Sequence, residues 1–206
     1  MPTEISGSTG VNKIQDGAVQ SSDLASGVGG SLIKLQSQTA SSSSSIIFSS
    51  TYITTTYKRY ELHWHDVTIS SDGGNITGRV SADNGSSYVT SNYNFIRQFD
   101  NTTMSNNTIA SSGSTSNTNL LMSGTGDGIG TAANEAAAGT LIMINPFSSD
   151  SKLFLTESLF INNNANMQQN KTYQALIQSA TYNNFKIAPN TGTINSGTFT
   201  LYGVIT

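Results

Sequence analysis

Three groups of residues in this 206-residue chain have types and spacings that invite chemistry. His63-Trp64-His65-Asp66 places two imidazoles at i and i+2, on one face of a strand, the spacing with which β-barrel metal sites supply two ligands. Such a site also needs a carboxylate further along the same strand. Only Asp66 and Asp72 follow, and the chain has no third His. The pair therefore reads as solvent-facing imidazoles flanking a core Trp64, and no metal is expected.

Gly124-Thr125-Gly126-Asp127-Gly128-Ile129-Gly130 has the glycine density of a phosphate cradle. Cradles work because a preceding strand and a following helix aim backbone amides at the anion. No Lys stands in the required place and no strand–helix–strand context surrounds the segment, so it reads as a flexible surface loop. Acid–base catalysis would need two convergent carboxylates, and Glu135 and Glu157 sit in different contexts. Most Asp residues fall at turns, where they bond backbone amides. With no Gly-x-Ser-x-Gly elbow and no partner arranged for either His, no catalytic residue and no cofactor is expected. The Asn-x-Ser/Thr triplets at Asn75, Asn84 and Asn101 are what so Asn-rich a chain produces by chance.

A binding surface is the remaining option. Tyr88 and Tyr93 in the segment 83–94, with Asn163 and Asn164 in 162–170, are candidate glycan contacts. Aromatic faces stack on sugars and amides supply paired hydrogen bonds, although ordinary turn chemistry uses the same residues.

The elements that must position these residues follow from composition and periodicity. Only 10% of residues are charged, while 32 Ser, 26 Thr and 21 Asn occupy 79 positions, a balance that excludes coiled coils and helical bundles. No apolar run is long enough for a membrane helix, and a net charge of −3 argues against nucleic acid as a partner. The absence of cysteine removes disulfides and thiolate metal sites. Met1 to Gly10 is polar, without the basic and apolar regions of a secretory signal.

From residue 31 onward, apolar residues recur with period two, predicting an all-β chain. Strands are expected at 31–38, 46–48, 60–69, 76–82, 88–99, 120–122, 141–144, 152–161, 171–178, 185–187 and 198–205. Tyr60, Leu62 and Trp64 share a face, then Val67 and Ile69 continue in shifted phase, predicting a bulge at His65-Asp66. Asp72-Gly73-Gly74-Asn75 is a turn, which makes 58–83 a hairpin. Residues 100–119 and 123–139 read as loops, with a helical turn or two at Ala132 to Ala138. In 152–161, Leu153, Leu155, Leu159 and Ile161 form the expected inward row, interrupted by Glu157. With no alternation of strands and helices, the best-fitting architecture is an antiparallel β-sandwich, jelly-roll-like, over residues 31–206.

Residues 1–30 form a separate regime. Ile5, Val11, Ile14, Val19 and Leu24 are too widely spaced to build a core, which predicts an extended arm that docks on another surface. Its segment Gly10-Val11-Asn12-Lys13-Ile14-Gln15-Asp16-Gly17-Ala18-Val19, with Asp23-Leu24, resembles the N-terminal lead of bacteriophage structural proteins, especially those of marine phages. The aromatic strand Tyr60 to Thr68, the strand Ile76 to Asp83 leading into Asn84-Gly85-Ser86, and the closing segment Phe185 to Ile205 resemble the same proteins. That resemblance implies a virion structural protein, either a capsid decoration or cement protein or a surface appendage. Its partners would be other capsid or tail proteins and copies of itself, a trimer first, after assembly in the host cytoplasm and release by lysis. A tail-fibre or receptor-binding module contacting host surface glycans is the alternative reading.

Overall fold

A computed structural model describes residues 30–101, 109–124 and 126–205. The chain divides into Met1–Ser31 and Leu32–Thr206, and the second unit carries the fold. The expected arm, with Ile5, Val11, Ile14, Val19 and Leu24, lies outside the described residues.

The strands are β1 (Leu32–Thr39), β2 (Ile46–Phe48), β3 (Arg59–Ile69), β4 (Ile76–Ser81), β5 (Tyr93–Asn101) and β6 (Ala110–Asn117). They continue with β7 (Leu120–Leu121), β8 (Ala137–Ile144), β9 (Lys152–Ile161), β10 (Met167–Leu176), β11 (Asn184–Pro189) and β12 (Ile194–Val204). They make two antiparallel sheets, one in the order β1-β12-β3-β8-β9-β10-β5-β6 and one in the order β2-β11-β4-β7. The steps β1 to β2, β3 to β4, β7 to β8 and β11 to β12 each cross from one sheet to the other. That double winding of β1-β12-β3-β8 against β2-β11-β4-β7 is the jelly-roll arrangement. The four remaining strands, β9, β10, β5 and β6, extend the larger sheet beyond the width of its partner.

Alternation explains most of the core. Tyr60, Leu62 and Trp64 of β3 and Phe199 and Leu201 of β12 point inward, with Phe48 of β2 and Phe185 and Ile187 of β11 in the same cluster. The bulge anticipated at His65-Asp66 is present. Asp66 has φ +54°, and the β3–β8 register shifts between Trp64 and Val67. The extra residue is what returns Val67 and Ile69 to the buried face.

Four expectations are corrected. The turn 72–75 does not close a hairpin, because β3 pairs with β12 and β8 while β4 pairs with β11 and β7. Turn chemistry reverses the chain locally but does not choose the partner strand. Residues 110–117 form β6, an edge strand without large apolar residues that, among the described residues, pairs only with β5. The alanine-rich 132–138 segment makes a tight turn with Asn134 at φ +76°, then enters β8. Pairing of Ala137 with both Val67 and Phe160 overrides its helical propensity.

The fourth correction concerns the glycine-rich loop, in which Gly128, Ile129 and Gly130 pack into the domain while Gly126 and Asp127 stay exposed. Ile129 is fully buried and bridges Gly74 on one side and Asn162 on the other. A Cβ on Gly128 would meet the Gly73 carbonyl oxygen at 2.2 Å, so close backbone approach explains this glycine.

Candidate functional site

The most unusual surface of the molecule arises on the four strands that overhang the smaller sheet. β10 reads Met-Gln-Gln-Asn-Lys-Thr-Tyr-Gln-Ala-Leu, and the row Gln168, Asn170, Thr172 and Gln174 is the buried one. In β9 the buried row is Lys152, Phe154, Thr156, Ser158 and Phe160. Leu153 and Leu159, expected inside, are each 49% exposed, and Leu155 and Ile161 of the same row are only partly covered. The expected inward row of β9 therefore faces out.

The reason lies in what the overhang covers. β7 is the last strand of the smaller sheet and presents an open backbone edge toward β10. Gln174 fills it. Leu121 N–H donates to Gln174 Oε1 at 2.7 Å, and Gln174 Nε2 donates to the Leu121 carbonyl oxygen at 2.9 Å and to Thr156 Oγ1 at 3.2 Å. Beside it, Arg97 of β5 is buried with Nε donating to Ser112 Oγ at 2.9 Å and its guanidinium 4.1 Å from the Phe99 ring centre. Burial lowers its pKa from the ordinary value. Buried backbone groups need partners, so this interior demands hydrogen-bonding side chains. The leucines and isoleucine of β9, and Ile96 of β5, are left with the other face.

That outer face is continuous across strands. Ile96 of β5 pairs with Tyr173 of β10, Tyr173 with Leu155 of β9, and Leu155 with Ile142 of β8. A neighbouring row runs from Ala175 through Leu153 to Ile144. Ile96, Leu153, Leu159, Met167, Tyr173 and Ile177 are between 40% and 66% exposed. One ion pair interrupts the patch, Lys171 Nζ to Glu157 Oε1 at 2.6 Å, and Glu157 raises the Lys171 pKa. Three shallow depressions of about 510, 460 and 320 Å³ mark the face, and all of them touch β10. On β3 and β12 the same side of the sheet turns polar, with Arg59 paired to Glu61 at 2.7 Å and the His63 ring 5.0 Å from that of Tyr202.

A signal for this inversion existed in the sequence. Charges avoid dry interiors, and two of the three charges of these strands, Glu157 and Lys171, stand in the apolar rows. The opposite rows hold Gln, Asn, Thr and Ser, which suit a hydrogen-bonded interior, beside the apolar Phe154, Phe160 and Leu176; their one charge is Lys152. Its ammonium donates to the carbonyl oxygens of Ser148, at 2.6 Å, and Asp150.

The candidate glycan residues do not form one surface. Tyr93 is fully buried, its hydroxyl accepting from Val80 N–H at 3.2 Å and donating to the Val89 carbonyl at 3.4 Å, and burial raises its pKa. It is a core residue, so a glycan cannot reach it. Tyr88 is half-buried, its hydroxyl donating to Asn184 Oδ1 at 3.0 Å and its ring lying 4.1 Å from Lys186 Nζ. Asn163 and Asn164 are exposed, in the turn between β9 and β10. Asn163 N–H donates to the Gly128 carbonyl, and Asn164 N–H to Asn162 Oδ1. Tyr88 lies beside the end of β4 and Asn163 beside its beginning, so about 20 Å of strand, at ~3.3 Å per residue, separates them.

The residues of the other chemical readings are also dispersed. Trp64 is buried between His63, which contacts Glu61 at 3.2 Å, and His65, which contacts Asp66 at 2.9 Å. Among the described residues, no three of His, Cys, Asp and Glu converge to hold a metal. Glu135 accepts from Ala132 N–H at 2.6 Å inside its own turn, while Glu157 stands on the outer face. No family model, no curated protein and no solved structure matches this chain.

Proposed function

We propose that this chain is a structural subunit whose task is assembly, in a virion as a capsid decoration, cement or surface-appendage protein. The observation that carries the reading is the outward apolar face of β8, β9, β10 and β5. The six most exposed of its side chains present on the order of 600 Å² of apolar surface. That is at or above the ~300–600 Å² of the largest patch on a typical monomer and near the ~800 Å² each partner gives a standard interface.

A second copy of the same chain is the occupant that fits. The face is predominantly apolar: its one ion pair is internally neutralised and the single further charge, Asp100, stands at its end, so it offers little to match against a charged partner. Closed cyclic assembly, a trimer first, would bury it and leave the Ser/Thr/Asn-rich surfaces outward. The jelly-roll order supports the virion context by analogy alone, since viral capsid proteins and unrelated lectins share it. The arm, residues 1–30, would add a second contact to neighbouring virion proteins.

The test is light scattering of the full chain with and without Leu153→Thr, Leu159→Gln and Ile96→Thr together. The wild-type chain is expected to form a closed oligomer, and the triple variant to be a folded monomer with an unchanged circular dichroism spectrum. A wild-type chain that stays monomeric at every accessible concentration overturns the reading.

A further inference from the structure

The opposite side of the molecule carries a feature that assembly through the large sheet leaves unused. On the outer face of the smaller sheet, Arg79 of β4 and Lys186 of β11 are directly paired across the ladder. Like charges placed opposite one another on a sheet destabilise it. In a chain with only nine Lys and Arg, chance crowding is a weak explanation.

Several other cations here have local partners. Arg59 and Lys171 are ion-paired, and Lys152 is held by carbonyls. Among the described residues, no carboxylate pairs with Arg79 or Lys186. Burial, and then the Arg79 charge, lower the Lys186 pKa, so the ammonium stands in a site that already disfavours positive charge. The Tyr88 ring, 4.1 Å from Lys186 Nζ, fixes it from one side.

The two cations border a depression of about 290 Å³, which Thr77, Asn119, Ala188 and Asn190 also line. Its floor is built from small residues, because Thr77 and Ala188 are the adjacent cross-strand pair. Asn190 uses its Oδ1 to accept from Asn75 N–H at 2.8 Å, which commits its acceptor and leaves its amide nitrogen as the donor. Two cations and a side-chain amide around a shallow, small-residue floor make a donor-rich concavity with no fixed counter-charge.

We propose that this depression is an oxyanion site for a phosphate or sulfate ester. Arg79 would grip two oxygens through its planar fork and Lys186 would act as a point charge. The volume lies at the lower edge of ligand pockets, ~300 Å³, and exceeds what a bare tetrahedral anion occupies, so the site accommodates a sugar carrying the ester. The inference stands on the smaller sheet alone and does not depend on the assembly reading.

The test is an NMR titration of the full chain with inorganic phosphate, glucose 6-phosphate and glucose, each at matched ionic strength. Both anions are expected to shift the amides of Arg79, Asn119, Lys186 and Asn190, with the sugar phosphate binding several-fold tighter and glucose causing no shift. Arg79→Gln combined with Lys186→Gln removes the repulsion as well as the site, so the variant is expected to fold and to lose the response. Lys58→Gln serves as the control and is expected to keep it. The proposal is overturned if sodium chloride reproduces the shifts, if glucose binds as well as its phosphate, or if the double variant still responds.

Discussion

Replacing Gln174 with Leu tests the account of the inverted strands most directly. Gln174 is buried and makes three hydrogen bonds, two of them to the backbone N–H and C=O of Leu121. Leucine has similar volume, so the change creates little cavity and adds apolar contact. By the rule that polar side chains weaken cores, it ought to stabilise. The geometry argues the reverse, because two backbone groups of buried Leu121 lose their partners and no strand is available to replace them. Each orphaned group costs about 1–3 kcal/mol, and an apolar gain of roughly 1 kcal/mol offsets part of that. The expected loss is therefore about 3 kcal/mol, a large share of the ~5–15 kcal/mol of a typical domain. Gln174→Ala should cost less than its cavity suggests, since it leaves room for a water to bond Leu121. Urea unfolding at a single low protein concentration reads the effect as a midpoint lower by about 1–2 M with unchanged slope. A Leu variant within about 0.5 kcal/mol of the wild type would refute the claim that the overhang is polar inside because β7 needs partners.

Tyr93→Phe removes the hydroxyl that accepts from buried Val80 N–H, and is expected to cost about 1–2 kcal/mol in the same unfolding assay. Ser81 and Ser87 hydroxyls and the Ser87 amide hold the Asp83 carboxyl down at about 2, from an ordinary 3.8. A folded-state value below the unfolded one means that this turn favours the folded state above about pH 4, an advantage lost as pH falls toward 2. Carboxyl NMR should show that low midpoint, and Ser81→Ala should move it upward. On the proposed virion role, deleting residues 1–30 is expected to leave the domain folded but to abolish incorporation into particles, as sedimentation would show; normal incorporation would refute a docking role for the arm.

Much of the strand pattern was legible because alternation is a local property. β1 to β5, β9 and β12 fall where apolar residues recur every second position, and the phase slip at His65-Asp66 located the bulge. β6 was not legible, since Ala-Ser-Ser-Gly-Ser-Thr-Ser-Asn has no large apolar row and owes its conformation to hydrogen bonds with β5. The candidate site was missed for a different reason. Period two divides a strand into two faces, and hydrophobicity alone makes the more apolar one the inner choice. That choice fails where the interior must satisfy an open strand edge.

The low charge and the excess of Ser, Thr and Asn noted in the sequence were sufficient for an all-β chain with polar turns and few ion pairs. Sequence alone also placed Trp64 in the core between two outward imidazoles. Only the tertiary structure decided that β3 and β4 separate into different sheets, that Gly128 to Gly130 are packed, and that β9 turns its leucines and β10 its tyrosine outward. These are questions of which strands meet and what lies above them. Their answers depend on contacts between residues far apart in the chain, such as Gln174 with Leu121, and local periodicity carries no information about those.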